Sequence, residues 1–254
     1  MKKIISIIIL GVIFFAFPAM AANTYSLDLE KDSSQYGYAG DSESLSITSD
    51  ISIETWVKPE SQPGTNVEAR IIDKLSYLLD YYDDAGTKYI YLFYTDGVNY
   101  TTRTIASTLT AGTWYHLAMT TDVLAKDVHL YINGVDQSLT TGSNAATSIQ
   151  NTDAILSIGR QSSDAVRYFD GLIDEVRIWN DVRSEAEIQA NYQKELVGDE
   201  AGLAAYYKLN NSALDETANN NDLTLVNSPV YSTDVPFVGE EAAVIKDEDI
   251  IIFE

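Results

Sequence analysis

Tyr77, Tyr81, Tyr82, Tyr89, Tyr91, Tyr94 and Tyr100 crowd into one stretch of a chain that carries 17 Tyr against 7 Phe and 3 Trp. A tyrosine offers a flat apolar face and a hydroxyl. That combination suits a sugar ring, whose C–H faces stack while its hydroxyls hydrogen-bond. Segments 77–82 and 88–94 flank Asp83-Asp84-Ala85-Gly86 and read as a hairpin. Alternation puts Tyr89 and Tyr91 on one face and Tyr94 on the other. One face must be core, so only some rings are expected in solvent. Tyr81, Tyr82, Tyr89, Tyr91 and Tyr94 are the candidate ligand-binding residues, although packing in the fold is the commoner fate of any single strand tyrosine. Polar segments 62–68, 144–153 and 161–167 are a second candidate, as loops that join strands often carry binding sites.

Signals for catalysis are sparse. His116 and His129 are the only histidines, and both fall in predicted strands, where a structural role outweighs that of a general base. The chain has no Cys, which excludes disulfides, thiol catalysis and zinc–thiolate sites. No G-x-S-x-G elbow, H-E-x-x-H pair or phosphate loop occurs. Glu54 is a lone carboxylate on its strand. Asp174 and Glu175 are adjacent, so a regular strand points them to opposite faces. The chain is therefore expected not to be an enzyme.

Composition narrows the partners. The formal charge is −22, so the surface repels phosphate backbones and anionic lipid, and nucleic acid is not an expected partner. Met1-Lys2-Lys3, an uncharged apolar run over 4–17 and Ala19-Met20-Ala21 form the sequence of a secretory signal. The run is shorter than the roughly 20 residues that a spanning helix needs. Residues 1–21 are thus expected as a signal peptide, 22–237 as one β domain without a transmembrane segment, and 238–254 as an acidic C-terminal segment, linker or truncated element. The expected location is secreted, extracellular or cell-surface.

The elements that must position these residues are mostly short strands. Ile51, Ile53, Thr55 and Val57 alternate with Ser52, Glu54, Trp56 and Lys58 before Pro59, which predicts one inward face. Further strands are expected at 99–105, 114–120, 127–132, 154–159, 172–179, 202–209 and 222–226. Asn133-Gly134 supplies a tight turn, because both residues tolerate positive φ. Ser184 and Glu187 form a capping-box pattern that opens a helix over 184–196, placed on the rim of a sandwich.

Several segments carry a family resemblance. They are Ser26-Leu27-Asp28-Leu29-Glu30, Ile51-Ser52-Ile53-Glu54-Thr55-Trp56-Val57-Lys58-Pro59, and Gly112-Thr113-Trp114-Tyr115-His116-Leu117-Ala118 with Leu130-Tyr131-Ile132-Asn133-Gly134. Phe169-Asp170-Gly171-Leu172-Ile173-Asp174-Glu175-Val176-Arg177-Ile178-Trp179 continues into the helix, and 202–226 closes the series. In this order they resemble the laminin-G-like jelly rolls of the concanavalin A-like lectin/glucanase superfamily. The resemblance implies an all-β sandwich of two antiparallel sheets with one short helix on the rim. It also implies a structural calcium held by Asp174 with Glu30 close by, although the family's Asp-Gly pair is Glu30-Lys31 here. The E-x-D-x-x-E run of the superfamily's β-glucanases is missing from every predicted strand. The function implied is a non-catalytic binding or adhesion module for an extracellular glycan, with a protein-contacting surface domain as the alternative and a glycoside hydrolase third.

Overall fold

The computed structural model describes residues 22–238. The expected signal peptide and nearly all of the acidic C-terminal segment lie outside the described residues. The first half of the chain forms β1 (Ser26–Leu29), β2 (Tyr36–Ala39), β3 (Ile51–Pro59), β4 (Glu68–Asp73), β5 (Tyr77–Asp84), β6 (Thr87–Thr95), β7 (Tyr100–Ala106) and β8 (Tyr115–Asp122). The second half forms β9 (Asp127–Ile132), β10 (Val135–Asp136), β11 (Thr140–Asn144), β12 (Leu156–Ile158) and β13 (Gly171–Trp179). Helix α1 (Glu185–Asn191) follows, then β14 (Leu203–Tyr207), β15 (Thr224–Val226) and β16 (Val230–Ser232).

Two eight-stranded antiparallel sheets result. The first runs β10-β9-β8-β3-β13-β1-β16, with β14 also paired to β13. The second runs β11-β7-β6-β5-β4-β12-β2-β15. Alternate residues of both sheets meet between them in one apolar core. Ile51, Ile53 and Val57 enter it from the first sheet, and Tyr77, Leu79, Tyr81, Ile90, Leu92 and Tyr94 from the second. The expected sandwich is therefore present. Strand β4 is an addition to the expected elements, because its first residue closes a segment, 62–68, that reads as polar loop.

Both tight hairpins follow from residues that accept positive φ. Asp84 pairs with Thr87, which leaves a two-residue loop in which Ala85 and Gly86 have φ of 50° and 94°. Two positive values match the right-handed twist of the flanking strands. The Asp83 carboxylate accepts from Gly86 N at 2.9 Å and from Asn66 N at 3.1 Å, tying the hairpin to the neighbouring loop. Ile132 pairs with Val135 across Asn133-Gly134, as the sequence predicts.

The first sheet departs from a simple alternation. Both faces of β3 are buried, because α1 and the chain after it cover the outer face. Arg177 is the clamp. Its guanidinium is fully buried, meets Glu175 at 2.7 Å and Glu54 at 3.9 Å, and donates to the carbonyls of Asn191 (3.1 Å) and Lys194. The Tyr206 hydroxyl donates to Glu175 at 2.7 Å and accepts from Leu196 N at 3.0 Å. Trp179 donates to Glu54 at 2.9 Å, and Trp56 donates to the Tyr192 carbonyl at 2.7 Å. The helix starts on the expected capping box of Ser184 and Glu187. It ends at Asn191 rather than 196, where the terminal carbonyls turn to the guanidinium instead of a further helical turn.

A bulge in β13 makes this clamp possible. Asp174 pairs with Trp56 and Arg177 with Glu54, so three residue steps on β13 oppose two on β3. Glu175 sits at φ 52°, an uncommon conformation for a residue with a side chain. The extra residue overturns the expectation that Asp174 and Glu175 point to opposite faces, since both lie on the covered side. It also marks where β13 changes partner, from β1 at 171–173 to β14 at 176–179.

Arg177→Met leaves Glu175 and Glu54 buried without their cation. We expect a loss of about 3–5 kcal/mol in urea denaturation, as for other buried pairs broken from one side. A loss below about 1 kcal/mol would show that the clamp is dispensable.

Candidate functional site

The outer face of the second sheet is the mirror case, because α1 lies on the other sheet and this face stays partly open. The hairpin register decides which side chains reach it. Tyr82 stands opposite Tyr89 and Asp80 opposite Tyr91. On β4, Glu68 stands opposite Tyr82 and Arg70 opposite Asp80. On β7, Thr104 stands opposite Tyr91. Directly paired residues share a face, so two cross-strand rows form: Glu68, Tyr82, Tyr89 and Ala106, then Arg70, Asp80, Tyr91 and Thr104.

The tyrosines of these rows touch. Tyr82 stacks on Tyr89 with ring centroids 5.2 Å apart, and Tyr91 meets Tyr82 edge-on at 5.5 Å. All three are half-buried. Phe93 stacks on Tyr100 at 6.2 Å beside them, and Tyr100 is 52% exposed. Burial pushes the Tyr91 phenol up to about 12, so it stays protonated and can donate at any physiological pH.

Arg70 organises the acidic side of this patch. It reaches Glu68 at 2.9 Å, Asp73 at 3.2 Å and Asp80 at 2.6 Å. Arg167, from the bordering loop, reaches Glu68 at 2.5 Å. Glu68, Asp80, Tyr82 and Tyr91 line a cavity of about 230 Å³. Asp80 has no exposed surface, and its Oδ1 has no hydrogen-bond partner. Burial, only partly offset by Arg70, pushes its carboxyl up to about 7. Sequence reasoning missed Glu68, Arg70 and Asp80, although the register of the 77–94 hairpin places Asp80 against Tyr91.

Of the five expected tyrosines, the structure brings Tyr82, Tyr89 and Tyr91 together and removes Tyr81 and Tyr94. Both of these have no exposed surface and lie in the core, because odd residues of β5 and even residues of β6 face inward. The Tyr81 hydroxyl is already engaged, donating to Gln62 at 2.5 Å and accepting from Leu109 N at 3.1 Å. They are corrected from ligand-binding to structural residues.

The rim loops frame a larger cavity of about 370 Å³, lined by Gln62, Val67, Tyr168, Phe169, Asp170 and Lys31 among others. Its charged groups satisfy one another. Lys31 donates to Ser61 at 2.6 Å and meets Asp170 at 3.3 Å, and Ser61 also bonds Asp170 at 2.5 Å. His116 is buried against Glu54 at 3.4 Å, and burial holds its pKa down. His129 bridges Asp127 at 3.2 Å and Asp136 at 2.9 Å on the β9–β10 hairpin.

The structure does not bring the two expected metal ligands, Asp174 and Glu30, together. β1 runs antiparallel to β13 with Leu29 opposite Gly171 and Leu27 opposite Ile173. Glu30 and Asp174 therefore lie at opposite ends of the pairing, on the order of 13 Å apart at about 3.3 Å per residue, too far to share an ion. Asp174 is sealed in, accepting from Asn23 Nδ2 at 2.8 Å and Glu175 N at 3.0 Å. Burial, with the Glu175 charge, raises its pKa well above the usual range. The carboxylates that converge with Glu30 are Asp28 and Glu60, with oxygens all within 4.8 Å of one another. Asp28 Oδ1 is a buried acceptor without a partner. Burial, then the neighbouring carboxylates, raise both Asp28 and Glu60. A hard cation with six to eight oxygen ligands suits such a donor set.

Comparison with known proteins agrees with this architecture. A laminin-G family model of the concanavalin A-like lectin/glucanases superfamily matches residues 31–189. A candidate carbohydrate-binding protein from Bacteroides ovatus superposes with a TM-score of 0.66 at 20% identity, over 84% of this chain and 61% of that longer one. A heptameric SAP-like pentraxin from Limulus polyphemus superposes with a TM-score of 0.56 at 9% identity, over 82% of this chain and 94% of that one. No curated protein sequence matches. Among the described residues, no helix is long and apolar enough to cross a membrane.

The raised carboxyl of Asp80 makes a signed prediction. The folded state holds this proton more tightly than the unfolded chain, so the group opposes folding increasingly as pH rises from about 4 to about 7. In Asp80→Asn that contribution is gone. The difference in melting temperature between variant and parent should therefore shift in the variant's favour across this range. A constant difference would show that Asp80 titrates normally.

Proposed function

Because the chain belongs to the concanavalin A-like lectin/glucanase superfamily, we propose that it is an exported, non-catalytic carbohydrate-binding module whose ligand lies on the outer face of the second sheet. The observation that carries this reading is the contiguous Tyr82–Tyr89–Tyr91 surface beside a cavity with polar walls. Aromatic faces bury the C–H side of a sugar ring, and the flanking phenols and carboxylates take its hydroxyls. The export sequence at 1–21 and the strongly acidic composition support an extracellular glycan, free or surface-attached, as the partner.

The non-catalytic part rests on the carboxylates. A glycosidase needs one carboxyl free to protonate the leaving oxygen and a second placed across the bond. Glu68, Asp73 and Asp80 instead share one guanidinium, which holds them as a structural cluster. Incubation with glucans, mannans and arabinans should release no reducing ends. Turnover lost in Glu68→Gln would make the chain a hydrolase.

The primary test is a glycan array with residues 22–254. Binding is expected, and Tyr82→Ala or Tyr89→Ala should weaken it at least about tenfold, or roughly 1.4 kcal/mol, with an unchanged melting temperature. A blank array from folded protein would favour a protein-contacting surface module instead.

Calcium is part of the same proposal, with Asp28, Glu30 and Glu60 as its ligands. Bound there, it would offset two of the three charges of these crowded carboxylates and fix the end of β1 against the end of β3. Calcium should raise the melting temperature and a chelator should reverse the rise. Asp28→Asn should abolish the effect and Asp174→Asn should leave it intact. Equal melting curves with calcium and with chelator would remove the metal.

A further inference from the structure

Asp80 is an acceptor that lacks a donor. Its Oδ2 accepts a hydrogen bond from Arg70 Nη1 at 2.6 Å, whereas Oδ1 has no partner. The residue has no exposed surface, yet it lines the cavity of about 230 Å³ with Glu68, Tyr82 and Tyr91. A buried carboxylate oxygen without a donor is costly, on the order of 1–3 kcal/mol or more. It is therefore the atom in this pocket with the most to gain from a ligand hydroxyl.

The pocket also has no positive charge to spare. Arg70 spends Nη2 on Glu68, Nε on Asp73 and Nη1 on Asp80. Arg167 spends Nε on Glu68 and Nη1 on Gln161. Three carboxylates thus surround two guanidiniums, of which Arg70 is buried and Arg167 lies partly exposed at the border, each already paired. An anionic sugar would meet acceptors and uncompensated negative charge. The cavity lies below the roughly 300 Å³ at which pockets for larger ligands begin, so one ring fits while the rest of a chain lies along Tyr89 and the open sheet.

We propose that this pocket takes a single uncharged sugar residue, which packs on Tyr82 and Tyr91 and donates a hydroxyl to Asp80, and that it rejects uronic, sialic and sulfated sugars. The inference rests on the carbohydrate reading and sharpens it to a ligand class and a specificity residue.

The experiment compares three groups of probes on the folded chain. The first is neutral glucan, mannan, galactan and arabinan oligosaccharides. The second is polygalacturonate fragments, sialyllactose and sulfated oligosaccharides. The third is cationic chitosan oligomers. Binding confined to the first group is expected. Acidic glycans bound as tightly as neutral ones, or chitosan oligomers bound more tightly, would overturn the ligand class while leaving the carbohydrate reading standing. No binding in any group would overturn both. For the best neutral ligand, Asp80→Asn and Tyr91→Ala should each lower affinity at least about tenfold, at melting temperatures no lower than the parent's by more than a few degrees. Wild-type affinity in Asp80→Asn would remove Asp80 from recognition. Wild-type affinity in Tyr91→Ala would move the ligand off this pocket.

Discussion

The buried guanidinium of Arg177 decides which side of this sandwich is closed. Its ion pair with Glu175 and its hydrogen bonds to two carbonyls after α1 draw the chain down over the outer face of the first sheet. Once it is there, Tyr192 stacks on Trp56 at 5.9 Å, Leu196 joins Trp179, Leu203 and Tyr206 in a small second core, and Ile188 packs on Ala118 and Tyr131 in a third. Each small core needs its cover, and the cover is held by a charge that would be costly to bury alone. Glu54 belongs to the same logic. Burial alone would raise its pKa, but a hydrogen bond with His116 and the charge of Arg177 hold it below the usual value. It stays an anion beside the guanidinium.

Closing one sheet leaves the other as the place where an open, patterned surface can exist. A β-sandwich has two outer faces, and in antiparallel sheets one side can remain in contact with water. Among the described residues the second sheet has no helix over it, and the loop that carries Arg160, Arg167 and Tyr168 borders it. Arg160 lies 3.9 Å from the Tyr36 ring centroid, and Tyr36 contacts Tyr168 and Tyr38. The aromatic surface therefore spans from the β2 side to the β5–β7 side, with the Arg70 cluster between. The strands supply a fixed spacing of rings, and rigid elements hold a binding geometry more precisely than loops do.

How much of this the residues reveal depends on the range of the interaction. Local chemistry is legible. Ala85-Gly86 and Asn133-Gly134 announce their hairpins, and Ser184 with Glu187 announces the start of α1. The family pattern of short motifs carries the sandwich as a whole. Period-two alternation also separates Tyr89 and Tyr91 from Tyr94 correctly. It does not tell which face is core, and that choice removes Tyr81 and Tyr94 from the surface. Strand pairing beyond a hairpin is out of reach, so Arg70 from β4 does not announce that it will stand against Asp80. The bulge at Glu175 is hidden for a related reason. Nothing about a Glu predicts left-handed backbone, and only the pull of Arg177, Tyr206 and the change of strand partner makes it favourable. One inserted residue then overturns the inference that Asp174 and Glu175 point apart. The register of β1 against β13 likewise sends Glu30 toward Glu60 and away from Asp174.

The two arginine clusters show one device put to two uses. Arg177 and Arg70 each gather carboxylates from neighbouring strands on an outer face. Around Arg177 the helix segment brings two carbonyls and β14 brings the Tyr206 hydroxyl, so the guanidinium and Glu175 are covered, and the face becomes structure. Around Arg70 no such cover arrives. Asp73 is completed by Ser162 and Leu75, but Asp80 keeps an oxygen without a donor at the cavity it lines with Tyr82 and Tyr91. A fold held firmly from one side can tolerate an incomplete network on the other, since the strands bearing it are fixed by the core. That incompleteness is what a ligand can relieve, and on the proposed reading it is what separates a surface that selects its ligand from one that is merely aromatic.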